Sequence, residues 1–241
     1  MQPSFVLQEL AIVIAAKNHN PTLLTPDFLK YSGIVPTEWE LVRPPVYTNR
    51  VAQVTFKSGV SIIAEPNRVI FLEAVEDKES TAIHVPTIAK KYVEILSNVE
   101  YQAIGLNPRG HVSFENQPEA TRKYFTETIL APGSWQQVGV APVQATINLT
   151  YTLESRSLNL MVNEAVLRFP DEKTVPVVLF SGNFSYNIDG EAGKEKLSSL
   201  HQAIDNWQTD LETYQEIVNT KFLAMLPDRA LGVQELLTSA A

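Results

Sequence analysis

From Lys194 to Met225 the chain carries no glycine and no proline, while Leu197, Leu200, Ile204, Trp207, Leu211, Tyr214, Val218, Phe222 and Met225 step by three and four. That spacing gathers all nine on one stripe of an α-helix, and so wide an apolar stripe has to be covered. Taken as one continuous helix, ~30 residues at 1.5 Å per residue span roughly 45 Å, more than one small domain needs. A heptad seam fits the same spacing, but Trp207 and Tyr214 are poor knobs for a narrow coiled coil. We therefore expect the helix to lie across a broad β-sheet, with self-association as its other use.

The sheet is legible upstream. Val143, Ala145, Ile147, Leu149, Tyr151 and Leu153 alternate without error with Gln144, Thr146, Asn148, Thr150 and Thr152, so one face is apolar and the other wet or paired with polar groups. The same period of two runs through 52–57, 60–65 and 69–75, with turns at Ser58, Gly59 and at Pro66, Asn67, which reads as an antiparallel meander. Leu10 to Ala16 is a continuous apolar run suited to a buried strand. Pro26 opens a short helix ended by Gly33 and Pro36, and Pro44 and Pro45 mark extended chain after it. Pro86 opens a helix carrying Ile88, Tyr92, Ile95, Leu96 and Val99. Tyr101 to Leu106 reads as a strand stopped by Asn107, Pro108, Arg109 and Gly110. Asn116, Pro118 and Glu119 announce a second short helix with Tyr124, Phe125 and Ile129 on its apolar side. Residues 158–169 and 175–188 read as two long strands, the first with an apolar phase shift near Asn163, as a β-bulge would give.

Residues 50–106 and 143–226 thus each read as three strands followed by a helix. The expected fold is α+β, with antiparallel sheets in two strand-strand-strand-helix halves, helices on one face and a long C-terminal helix. The halves are placed at 1–130 and 131–241, packed as one unit because no flexible linker separates them. The N-terminal buried strand, the run Tyr101, Gln102, Ala103, Ile104, Gly105, Leu106, Asn107 after a helix, and the long final helix resemble a sporadically distributed family of uncharacterised prokaryotic proteins, cyanobacterial-like in flavour and of similar length. The resemblance implies a fold and brings no activity and no site residues.

Composition removes several function classes. A net charge of −8, with no basic cluster beyond pairs such as Lys90, Lys91 and Arg122, Lys123, disfavours a nucleic-acid partner. The absence of cysteine excludes thiolate catalysis, disulfides and thiolate metal sites and fits a reducing compartment. The run from Phe5 to Ala16 is too short to span a bilayer, is broken by Gln8 and Glu9, and has no basic residue before it. The expectation is a cytoplasmic protein with no membrane partner and no cofactor.

No catalytic motif passes a spacing test. The histidines His19, His84, His111 and His201 are scattered without a metal-ligand pair, so no metal site is expected. The stretch Asp189, Gly190, Glu191, Ala192, Gly193, Lys194 fails as a phosphate loop and as a calcium loop and reads as a polar turn. One segment combines useful groups: Asn107, Arg109, His111 and Glu115 offer an amide, a guanidinium, an imidazole and a carboxylate within a few residues. If they line a cleft between the halves they could hold a small anion or do acid/base work, against the reading of an ordinary polar loop. The leading expectation is a non-catalytic interaction protein that self-associates as a homodimer, or binds another protein, through exposed sheet or the long helix. The small-molecule or anion binder, or enzyme, using the Arg109 loop is the alternative.

Overall fold

The computed structural model describes residues 4–76, 78–114, 119–169, 172–188 and 194–225. In chain order the elements are β1 (Phe5–Lys17), α1 (Pro26–Tyr31), β2 (Val46–Tyr47), β3 (Ala52–Thr55), β4 (Val60–Glu65), β5 (Arg68–Ala74) and α2 (Val85–Ile95). Then come β6 (Glu100–Ser113), α3 (Ala120–Lys123) running into a π-helical turn (Tyr124–Ile129), β7 (Thr146–Thr152), β8 (Ser157–Arg168), β9 (Thr174–Asn187), α4 (Lys194–Asp205) and α5 (Trp207–Glu216).

The α+β class and the antiparallel pairing are present, but the expected division into two sheets is not. Among the described residues one sheet of nine strands runs in the order β2-β3-β4-β5-β1-β6-β9-β8-β7. The reason lies in the two long strands at its centre. β1 and β6 pair antiparallel from Phe5 opposite Val112 to Lys17 opposite Glu100, which fuses everything on either side. Outward from that pair the order repeats: each long strand receives the last strand of the meander that follows it, β5 on β1 and β9 on β6. A helical segment then crosses back over the sheet in each case, α2 after β5 and α4 with α5 after β9.

Side-chain alternation sorts the sheet into two faces. Leu10, Ile12 and Ile14 of β1, Ile104 and Leu106 of β6, and Phe180 and Phe184 of β9 point to the same side and are almost fully buried. Ile88 and Tyr92 of α2, Leu200 and Ile204 of α4, and Leu211 and Tyr214 of α5 belong to the same core cluster. The Tyr214 hydroxyl donates to the Phe180 carbonyl at 2.9 Å, fixing α5 to β9. Burying each such Leu or Phe stabilises by roughly 1.5–3 kcal/mol, so the apolar stripe is spent on the sheet.

The long final helix is present: α4 runs into α5 through Asn206, whose backbone is right-handed helical (φ −73°, ψ 0°), whose N–H donates to the Gln202 carbonyl at 3.2 Å and whose carbonyl accepts the Asp210 N–H at 3.0 Å, and its last turns are π-helical (Ile217–Phe222) and 3₁₀ (Leu223–Met225). Three local expectations are corrected. β6 does not stop at Leu106 but runs through Pro108 to Ser113. Proline is tolerated there because the ladder to β9 is open between Leu106–Phe184 and Arg109–Ser181, where no N–H is required. β8 has no bulge near Asn163, its register being unbroken against both neighbours; the register shifts fall in the β1–β6 pair, where Gln8 of β1 and Gln102 of β6 are the unpaired residues. Short strand β2 sits in the connection read as merely extended. The expected N-cap at Asn116 and the polar turn 189–193 lie outside the described residues.

Two buried polar clusters tie the helices to the sheet. The Glu73 side chain on β5 is fully buried; it accepts the backbone N–H of His84 at 2.7 Å and of Val85 at 2.9 Å, and Lys78 Nζ lies 2.8 Å away. It thereby satisfies orphan donors at the start of α2. On α5 the buried Asp210 carboxylate accepts from the Tyr186 hydroxyl at 2.5 Å and forms an ion pair with Arg156. Burial pushes that carboxyl up, with the tyrosine and the guanidinium pulling it back down. Arg156 also lies over the Phe184 ring, 5.7 Å from its centroid, so the β7–β8 hairpin is clamped to the helix layer.

Candidate functional site

The sheet face away from the helices is where the chemistry gathers. In β1, Glu9, Ala11 and Val13 alternate onto that face, and in β6 Gly105, Asn107 and Arg109 do so opposite them. Asn183 and Ser181 of β9, Asn159 and Met161 of β8, and Thr150 and Asn148 of β7 continue the rows outward. Strand pairing therefore lays a band of carboxamides and hydroxyls across four strands. These side chains, with Glu9, line an open depression of about 630 Å³.

The band is organised by its own hydrogen bonds. Asn183 Nδ2 donates to Asn107 Oδ1, Ser185 Oγ donates to Asn183 Oδ1, and Asn107 Nδ2 donates to the Gly105 carbonyl at 3.2 Å. Thr150 Oγ1 donates to Asn159 Oδ1 at 2.8 Å, and Asn159 Nδ2 has no hydrogen-bond partner among the described residues. Close approach is helped by Gly105, where an added Cβ would stand 3.3 Å from Asn183 Nδ2.

The four residues singled out from the sequence meet different fates. Asn107 and Arg109 are on a central strand instead of a loop, and both line the depression. His111 is in the same strand two residues on but sunk to 6% exposure, opposite Val6 and Leu179. Burial lowers its imidazole pKa, with the charge of Glu76 acting the other way, and its Nδ1 has no hydrogen-bond partner among the described residues. Glu115 lies outside the described residues. The depression is on one face of one sheet, so it is not a cleft between two sheets.

Sequence reasoning missed Glu9, which the register places directly opposite Arg109. No ion pair joins the two among the described residues. It also missed the shared parity of Asn107, Asn148, Asn159 and Asn183. The only available signal was alternation, since each asparagine occupies a polar position of a period-two strand, but alternation does not say which strands are neighbours.

The other polar clusters are structurally committed. Both Glu73 oxygens are occupied, with His84 Nδ1 3.0 Å away in addition to the contacts above. His19 is buried with Nε2 2.7 Å from the Tyr92 hydroxyl and Nδ1 3.2 Å from the Glu65 carbonyl, which fastens the loop after β1 to α2. Among the described residues no three metal-ligating side chains converge, and no helix is long and apolar enough to cross a membrane. No protein-family model and no curated protein matches the chain.

Proposed function

We propose that the protein is a non-catalytic interaction protein that self-associates as a dimer by antiparallel pairing of β7 between two copies. The observation that carries this reading is the chemistry of that edge. β7 terminates the sheet, and no charged residue occurs from Thr128 to Leu153. Exposed edges are normally blunted by charge, proline, bulges or extreme shortness. The opposite edge has such devices: β2 is only two residues long, with Pro44 and Pro45 before it and Arg50 after it. β7 pairs with β8 in unbroken register over seven residues and has no Gly or Pro of its own.

Self-pairing also matches side chain to side chain. Exposed and half-buried residues alternate along β7, and the pattern is symmetric about Leu149. Antiparallel pairing of two copies about that residue sets Leu149 against Leu149 and Ile147 against Tyr151 on the helix side, and Asn148 against Thr150 on the open side. The apolar layer and the carboxamide band would both continue across the joint, an isologous contact of the kind that closes a C2 dimer. Val138 and Val140, 74% and 110% exposed just upstream, supply further apolar area. The long helix does not compete for this role, because its stripe is in the core.

A seven-residue ladder is below the usual area of a stable interface, so the dimer is expected to dissociate on the order of micromolar concentrations. The test is light scattering across a concentration series. The chain should pass from monomer to dimer mass, and Asn148→Lys with Thr150→Lys, both on exposed positions, should hold it monomeric by placing four like charges at the joint. A chain that is monomeric throughout, or a double variant that dimerises undiminished, overturns the proposal.

A further inference from the structure

Two opposite charges stand in register in the depression without engaging one another. Glu9 and Arg109 are cross-strand partners in the β1–β6 ladder, and both line the hollow. Among the described residues neither forms an ion pair or a side-chain hydrogen bond, although seven other carboxylates pair with lysine or arginine. Around them the neutral groups are polar: Asn159 Nδ2 has no hydrogen-bond partner, and Asn148 and Ser181 make no side-chain hydrogen bond, among the described residues. No aromatic ring lines the hollow, so a flat apolar ligand has nothing to stack on.

We propose that this depression binds a small zwitterion, an α-ammonium carboxylate as found in a free amino acid or a short peptide. The Arg109 guanidinium takes the carboxylate through its fork of N–H donors, and the Glu9 carboxylate takes the ammonium. A monoanion would gain Arg109 but bring its charge against Glu9, and a monocation would meet the converse penalty; only a ligand carrying both charges satisfies both side chains at once. The Asn159 and Asn148 amides and the Ser181 hydroxyl can hydrogen-bond a peptide unit or a polar side chain lying over β9 and β8. A volume of about 630 Å³ accommodates an amino acid or dipeptide with bound water. The site is complete within one copy and stands independently of the pairing proposed for β7.

The test is titration of the full chain with glycine, glycylglycine, N-acetylglycine and glycinamide, followed by calorimetry and by NMR of the backbone amides. Saturable binding is expected for at least one of the two zwitterions, with shifts confined to β1, β6, β7, β8 and β9. Capping either charge, or substituting Arg109→Gln or Glu9→Gln, should weaken it on the order of tenfold or more, the range of a lost charge-assisted hydrogen bond. Whether glycine or glycylglycine binds more tightly reports the span between the two charged heads. Melting curves of both variants matching the unsubstituted chain show that any loss is local. Absence of saturable binding by both zwitterions, equal binding of the capped compounds, or binding indifferent to both substitutions overturns the assignment.

Discussion

Glu73→Ala is the sharpest test of how the helix layer is fastened to the sheet. The side chain is fully buried and satisfies three donors: Lys78 Nζ and the backbone N–H groups of His84 and Val85. Val85 is itself fully buried, so its N–H finds no water when the carboxylate is removed. A buried donor left without a partner costs about 1–3 kcal/mol. Lys78 loses its anion but keeps the Ser58 carbonyl at 2.9 Å and is 24% exposed, so its share is smaller. With the small void added, the expected loss is about 3 kcal/mol, the lower end of what breaking a buried ion pair costs. For a chain of this length that corresponds to a fall in Tm of about 6–12 °C. Urea unfolding followed by tryptophan fluorescence measures it, and Trp39, whose ring centroid is 5.2 Å from that of His84, reports on the site itself. A loss below about 1 kcal/mol would refute the reasoning, since it would mean that α2 starts equally well without its buried acceptor.

Further outcomes follow from close packing and from burial. Gly110→Ala should destabilise by about 1–3 kcal/mol in the same assay, because a Cβ there would stand 2.6 Å from the Val6 carbonyl oxygen and 2.2 Å from Phe5 Cζ. Burial lowers the pKa of both His19 and His111 below the ordinary 6.5. The unfolded chain then takes up protons first, so their contribution to stability is full above the unfolded pKa and is lost as pH falls through it toward the folded values. The urea midpoint should therefore drop between pH 7.5 and 5.5, and His19→Gln with His111→Gln should flatten that drop. Lys90→Ala should change stability by under about 1 kcal/mol, because its bond to Asp205 at 2.8 Å is a surface ion pair.

Local signals in the sequence correspond to local facts in the fold. The alternation around Leu149 is strand β7, and the stripe from Leu197 to Phe222 does settle on β-structure, because both patterns are set by side-chain spacing within one element. What the chain order conceals is pairing between distant elements. β1 looked like an isolated buried strand and β6 like a short one, so their union into the centre of one sheet was not legible. Pro108 and Gly110 argue for a turn by local chemistry, and only the gap in the β6–β9 ladder and the close approach of Phe5 and Val6 make them strand residues. The depression was half visible: Asn107 and Arg109 were singled out, whereas Glu9, some hundred positions earlier, joins them only through the register of β1 on β6.

The bare edge of β7 is most directly tested by a single cysteine. The natural chain has none, so any disulfide formed on oxidation reports one contact alone. In an antiparallel joint centred on Leu149, the two copies of that residue face each other with Cα atoms about 4.5–5.5 Å apart, within disulfide reach. Ile147 faces Tyr151 instead. Leu149→Cys should cross-link rapidly into a covalent dimer, Ile147→Cys should not, and a mixture of Ile147→Cys with Tyr151→Cys should. Equal, slow cross-linking of Leu149→Cys and Ile147→Cys would contradict pairing through this edge.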